Sequence, residues 1–167
     1  HPAGVLDAFL EGYRRMCEEG EKAGIKIYMG AELRFFENHN DYLYYGFDEK
    51  TLENPKEIID MGIVQFSAYN RQLGGVLVHA HPFRRQCVPV DPSLLDGVEV
   101  YNMNPRHDSR NHLARAYADR YGLVATAGSD SHRPGDEGIS GILSETLPED
   151  SFAFAKLIRS RNFTCIK

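Results

Sequence analysis

The sequence has no apolar run approaching the ~20 residues of a membrane-spanning helix, so no span of that kind is expected. Its opening, HPAGVLDAFLEGYRRMCEEG, lacks the basic-then-apolar layout of a secretory signal. Cysteine is scarce. Cys17, Cys87 and Cys165 are odd in number and far apart, with no Cys-x-x-Cys pair. That argues against a disulfide framework and a zinc knuckle, and a reducing, cytoplasmic compartment is expected. Positive charge is in deficit, with 19 Lys and Arg against 24 Asp and Glu and a net charge of -5. This disfavours a partner gripped by broad phosphate neutralisation, so extended nucleic acid is not expected, although a local basic patch stays open. No GxGxxG follows the first strand pattern, which leaves a dinucleotide-binding fold without support. Tryptophan is absent, and that excludes nothing.

What remains is an ordinary globular composition, 42% hydrophobic and 26% charged over 167 residues. Without repeats or a Ser/Pro-rich linker, one domain over 1–167 is the simplest organisation. Leu6, Phe9, Leu10, Tyr13 and Cys17 share a helical face that Gly24 ends. Strand patterns follow at Ile25 to Ala31 (IKIYMGA) and Asp41 to Phe47 (DYLYYGF). Pro55 opens a helix burying Ile58, Ile59, Ile63, Phe66 and Tyr69. Further strands are expected at Val76 to Val78, Gly97 to Tyr101 and Leu123 to Ala127. A helix over Asp108 to Tyr121 would face Leu113, Tyr117 and Tyr121 inward. A last helix runs from Pro148 through Arg161, and a strand closes at Phe163 to Ile166. Alternation of this kind predicts an α/β protein with mainly parallel strands, either a barrel or an open sheet.

The unusual polar residues fall at strand ends. Glu32 follows IKIYMGA, His79 and His81 end GVLV, Asn102 and Asn104 follow GVEVY, and Asp130 and His132 follow GLVATA. In parallel α/β folds this is the face where ligands gather. Glu32, His81, Asp130 and His132 form a mixed nitrogen and oxygen set suited to zinc, manganese or iron, and the lack of thiolate disfavours a structural zinc site. A carboxylate such as Glu32 can bridge two ions, and two ions ~4 Å apart activate water and hold the leaving oxygen of a phosphate ester. Arg84 with Arg85, and Arg106 with Arg110, bring guanidinium groups to the same rim, and Arg84 and Arg106 are the candidate phosphate binders. His79 reads better as a non-ligand, His39 as a turn residue in ENHND and His112 as a surface residue. Asn102 and Asn104 suit Asx turns as well as a site.

Four segments, MGAEL, VLVHAHPFR, GVEVYN and AGSDSH, agree in order and spacing with the PHP family, named for polymerase and histidinol phosphatase, and the chain resembles that family from about Gly24 onward. The resemblance implies a distorted (βα)7 TIM-like barrel holding two or three divalent ions and hydrolysing phosphoesters. It makes Glu32 a bridging carboxylate, His81 a ligand to a shared ion, and Asp130 and His132 ligands to separate ions, with Glu32 and Asp130 the catalytic acids. The family's opening HxH pair is not seen. His1 is either the tail of a further family motif or unrelated. Either the first part of the barrel lies outside these residues, which then form its C-terminal two-thirds, or the ligand set is a reduced one. Were the 167 residues the whole chain, an exposed sheet edge would call for pairing with another copy.

Two functional expectations follow. One is a metal-dependent phosphoesterase acting on a small phosphorylated metabolite or short nucleotide. The other is a non-catalytic PHP-like module that keeps a degenerate metal site and serves a partner protein. A metal hydrolase of C–N bonds shares the ligand chemistry, and the paired arginines argue mildly against it.

Overall fold

A computed structural model describes the backbone from Ala3 to Lys167 and the side chains from Leu6 onward. His1 lies outside the described residues. Helix α1 (Ala3–Ala23) leads into strands β1 (Gly30–Leu33) and β2 (Tyr42–Tyr45), and then helices α2 (Pro55–Asp60) and α3 (Gly62–Leu73). Strands β3 (Val76–His79) and β4 (Gly97–Asn102), helix α4 (Asn111–Tyr121) and strand β5 (Val124–Gly128) follow. The chain ends with β6 (Gly141–Leu143), α5 (Ser151–Ser160) and β7 (Thr164–Ile166). No helix among the described residues is long and apolar enough to cross a membrane.

Strands β1 to β5 form one sheet in sequence order, and β6 pairs with β7 in a separate antiparallel ribbon. The expected barrel is not what is observed. Among the described residues the sheet stays open, with β1 and β5 at its edges. Nor are the strands mainly parallel: β1–β2 and β2–β3 are antiparallel, while β3–β4 and β4–β5 are parallel. The turn from β1 to β2 spans only residues 34–41, too short for the crossover a parallel pair requires. Strand β2 therefore runs against its neighbours, and its beginning lies at the rim where β1, β3, β4 and β5 end.

Side chains alternate between the two sheet faces. One face buries Tyr42, Tyr44 and Leu77 against Phe66 and Ile63 of α3, with Leu10 of α1 and Ile58 of α2 in the same core. The other buries Val76, Val78 and Val124 against Ala155 and Ile158 of α5. The helical pattern after Pro55 is realised as two helices, with Met61 and Gly62 at the break and Gly62 at φ +64°. On α4, Leu113 and Tyr121 are exposed and Tyr117 half-buried, contrary to the expected inward trio, while Ala114 and Ala118 face in. Small side chains on that face let α4 press against Val98 and Val100 of β4. The same helix starts at Asn111 rather than Asp108, because Asn111 exchanges hydrogen bonds with the backbone of Asn102.

Candidate metal centre

The rim is built by short, rigid connections. The β1–β2 turn brings Glu32, inside β1, close to Asp41, which just precedes β2. Asn40 fixes the next layer. It is fully buried, its Nδ2 donates to the carbonyl of Val88, and its Oδ1 accepts from the Val88 amide at 2.9 Å. That clamps the loop after β3, which carries His81, against the start of β2. Two turns shape this loop, with Arg84 N donating to the His81 carbonyl and Cys87 N to that of Arg84.

Glu32, Asp41 and His81 thereby offer ligand atoms that all lie within 4.8 Å of one another. Asp41 is buried and receives Nε and Nη2 of Arg34, each at 2.7 Å, in a forked pair. His81 Nε2 stands 3.6 Å from Asp41 Oδ2. Burial, then the charge of Arg84, lowers the His81 pKa and favours the neutral imidazole a metal needs. Glu32 keeps an exposed side, yet partial desolvation and then the charges of Asp41 and Asp130 raise its pKa. Crowded carboxylates that repel one another, beside a neutral imidazole, fit a divalent cation, which would relieve the repulsion.

Asp130 and His132 adjoin this group. Asp130 sits at φ +49° and His81 at φ +31°, uncommon backbone for either residue. Strain of this sort clusters at functional sites. Asp130 Oδ2 accepts from Arg84 Nη2 at 2.6 Å. Burial by itself would raise the Asp130 pKa, but hydrogen bonds from Arg84 and Asn102 hold it below the usual carboxylate value. His132 is mostly exposed, and its Nδ1 lies 2.9 Å from the Asp130 carbonyl, which leaves Nε2 to face outward chemistry. Of the four ligands expected from sequence, Glu32 and His81 fall in one group with Asp41. Asp130 and His132 form the neighbouring pair.

Glu99 and Asp136 support the site and are not among the residues expected from the sequence. Glu99, 4% exposed in the middle of β4, accepts from the His81 amide and from Asn102 Nδ2 through one oxygen. Burial pushes its pKa up to about 7. A carboxylate inside the apolar run GVEVY is itself a signal, since such residues are rarely buried without partners. Asn102 accepts from Arg84 and Ser109, and Asn104 donates to the Asp130 carbonyl. Asn104 also accepts from the Arg106 amide, the Asx turn its type suggested. The guanidinium of Arg106 is engaged by Asp136 through two hydrogen bonds. Asp136 in turn accepts from the His132 and Arg133 amides, so Arg106 braces the loop that carries Asp130 and His132. His79 is fully buried, stacks on Tyr42 at 5.0 Å, and has no partner for either ring nitrogen among the described residues. Burial, then His81, lowers its pKa to about 3. A cleft of about 1000 Å³ between Leu143–Glu149 and α5 is lined by none of these residues.

Comparison with known proteins bears on the same region. Residues 108–138, which include Asp130 and His132, match the family model PHP_C, described as PHP-associated. No curated protein matches the chain. Among solved structures, PsfC from Pseudomonas syringae PB-5123 aligns with a TM-score of 0.64 at 22% identity, over 86% of this chain and 60% of that one. The chain thus spans 60% of the length of PsfC. A protein described as a putative metal-dependent phosphoesterase, from Bifidobacterium adolescentis, aligns with a TM-score of 0.51 at 18% identity. That match covers 89% of this chain and 82% of the other. Both are likenesses of fold.

Proposed function

We propose that this chain, a PHP-family protein, is a metal-dependent phosphoesterase that hydrolyses a phosphate ester of a small metabolite or short nucleotide. One observation carries the reading: two carboxylates and an imidazole from three separate segments, Glu32, Asp41 and His81, have ligand atoms within 4.8 Å of one another. These three would hold a divalent cation, zinc, manganese or iron. Asp130 and His132 would complete a site of two or three ions. Such ions supply a water of lowered pKa and positive charge for the phosphoryl oxygens.

The chain's own residues do the rest. Glu99 receives the His81 amide and fixes the loop that presents the imidazole. Asn102 gathers Arg84, Ser109 and Glu99 at one point, and Arg84 sets the orientation of Asp130. Arg84 is then the cation nearest to the place where a phosphate would meet Asp130, while Arg106 holds the loop in shape through Asp136. The net charge of -5 and the confined rim favour a small substrate over a polymer. Free Cys17, Cys87 and Cys165 suit a reducing, cytoplasmic setting.

The test is metal content together with hydrolysis of p-nitrophenyl phosphate in manganese, for wild type, Asp41→Asn and Asp130→Ala. We expect bound metal in the wild type and a loss of about 100-fold in kcat/KM in each variant. Tight metal with no hydrolysis of any phosphoester by the wild type would instead leave a non-catalytic metal-binding module.

A further inference from the structure

Beside the Glu32–Asp41–His81 group lies a hollow of about 460 Å³ that shares Asp41 and His81 with it. Its walls are cationic or hydrogen-bond donating: Arg34, His39, Arg84, Arg85 and His107. We propose that this hollow is a subsite for a second anionic group on the substrate. The chain would then act on small esters with the scissile phosphate at one end and a further phosphate or carboxylate at the other. The proposal rests on the phosphoesterase reading and specifies its substrate class.

The charge balance of the hollow supports this. Its one acid, Asp41, already receives both Nε and Nη2 of Arg34. Arg84 Nη2 is committed to Asp130, Asn102 and Ser109, but Arg84 Nε is buried without a partner. Arg85, an exposed residue that lines the hollow, has no carboxylate or hydrogen-bonded partner among the described residues. An unpaired guanidinium on the wall of a concave site matches an anion that arrives with the substrate. The backbone that carries the exposed Arg85 is also held in place. Its loop is folded by the two turns at Arg84 and Cys87, has Gln86 at φ +77°, and is clamped beyond Cys87 by the Asn40–Val88 pair. The volume suits a small metabolite.

Calorimetric binding to the manganese-loaded protein tests this without relying on turnover. Three probes are compared, each with a C–P bond in place of the cleavable ester: butylphosphonate, pentane-1,5-diylbisphosphonate and 5-phosphonopentanoate. At least one two-ended probe should bind about tenfold tighter than butylphosphonate, and the tighter of the two identifies the second group as phosphate-like or carboxylate. Arg85→Glu should reduce that preference to about twofold or less, while Arg120→Glu, on the outer face of α4, should retain it. Equal affinity for all three probes, or a preference that survives Arg85→Glu, overturns the subsite. If butylphosphonate binds without any two-ended preference, only the subsite is lost. If no probe binds the metal-loaded protein, the phosphoesterase reading falls with it.

Discussion

Arg84 Nη2 and Asp130 Oδ2 meet at 2.6 Å, and this one contact ties the loop after β3 to the loop after β5. Both side chains are largely withdrawn from water, at 15% and 9% exposure. Truncating one partner of such a pair leaves a charge with nothing to oppose it. Arg84→Ala should therefore cost about 2–4 kcal/mol in urea denaturation of the metal-free protein. Arg84→Lys should recover only part of this, because an ammonium cannot reach Asp130, Asn102 and Ser109 from one fixed plane. A loss below about 0.5 kcal/mol for Arg84→Ala would show that the contact does not hold the two loops together.

Asp41 is the residue on which metal binding should depend most visibly in stability. A ligand present at about 100 times its Kd stabilises the folded state by about 2.7 kcal/mol. For a chain of this length that is a rise of roughly 5–10 °C in Tm. Wild type should show this rise when manganese or zinc replaces EDTA, and Asp41→Asn should show less than half of it. An equal rise in the two proteins would mean that the metal is held elsewhere.

Much of the scaffold was legible in the sequence. The strand at Val76 and the helices after Pro55 and Pro148 announce themselves by periodicity and by breakers such as Gly74 and Gly75. Burial then follows the pattern closely, from Ile58, Ile63 and Phe66 to Val76, Leu77 and Val78. On α4 the large side chains carry the core pattern in the sequence, whereas close approach to β4 selects Ala114 and Ala118. Strand β6 is three residues long, too short for any period. Asp41 was hidden by strand direction. A residue that precedes its strand reaches the rim only because β2 is antiparallel, and pairing direction is a tertiary property. The closed barrel expected from family likeness gave way to an open five-stranded sheet. Four segments nonetheless ended at the expected rim, since a strand's carboxyl end is local information.

Glu99 should make stability depend on pH in a direction opposite to that of an ordinary salt-bridged acid. Its folded pKa is raised, to about 7, so the folded state holds its proton more tightly than the unfolded chain. Its contribution is thus fully present below the unfolded value of about 4.5 and is lost as pH rises through 7. Glu99→Gln keeps an acceptor for the His81 amide but cannot ionise. In EDTA the variant should gain on wild type between pH 5 and 8, reaching a difference on the order of 2 kcal/mol at pH 8. Urea midpoints across that range give the measurement, and a flat difference would mean that Glu99 titrates normally.

Gly128, at the end of β5, completes the packing around Glu99. A Cβ at this position would come 3.0 Å from Glu99 Oε1. Glu99 has little room to give way, because its other oxygen is held by the His81 amide and by Asn102. Two effects therefore compete in Gly128→Ala. Alanine restricts the unfolded chain and favours folding by about 0.4–1 kcal/mol. Crowding a packed site costs about 1–3 kcal/mol, and here the crowding should prevail, giving net destabilisation. The cause can be isolated in a double-mutant cycle. In a Glu99→Ala background the clashing oxygen is gone, and Gly128→Ala should become neutral or stabilising. Were the alanine equally costly in both backgrounds, the strain would lie in the β5 backbone itself and not in its contact with the carboxylate.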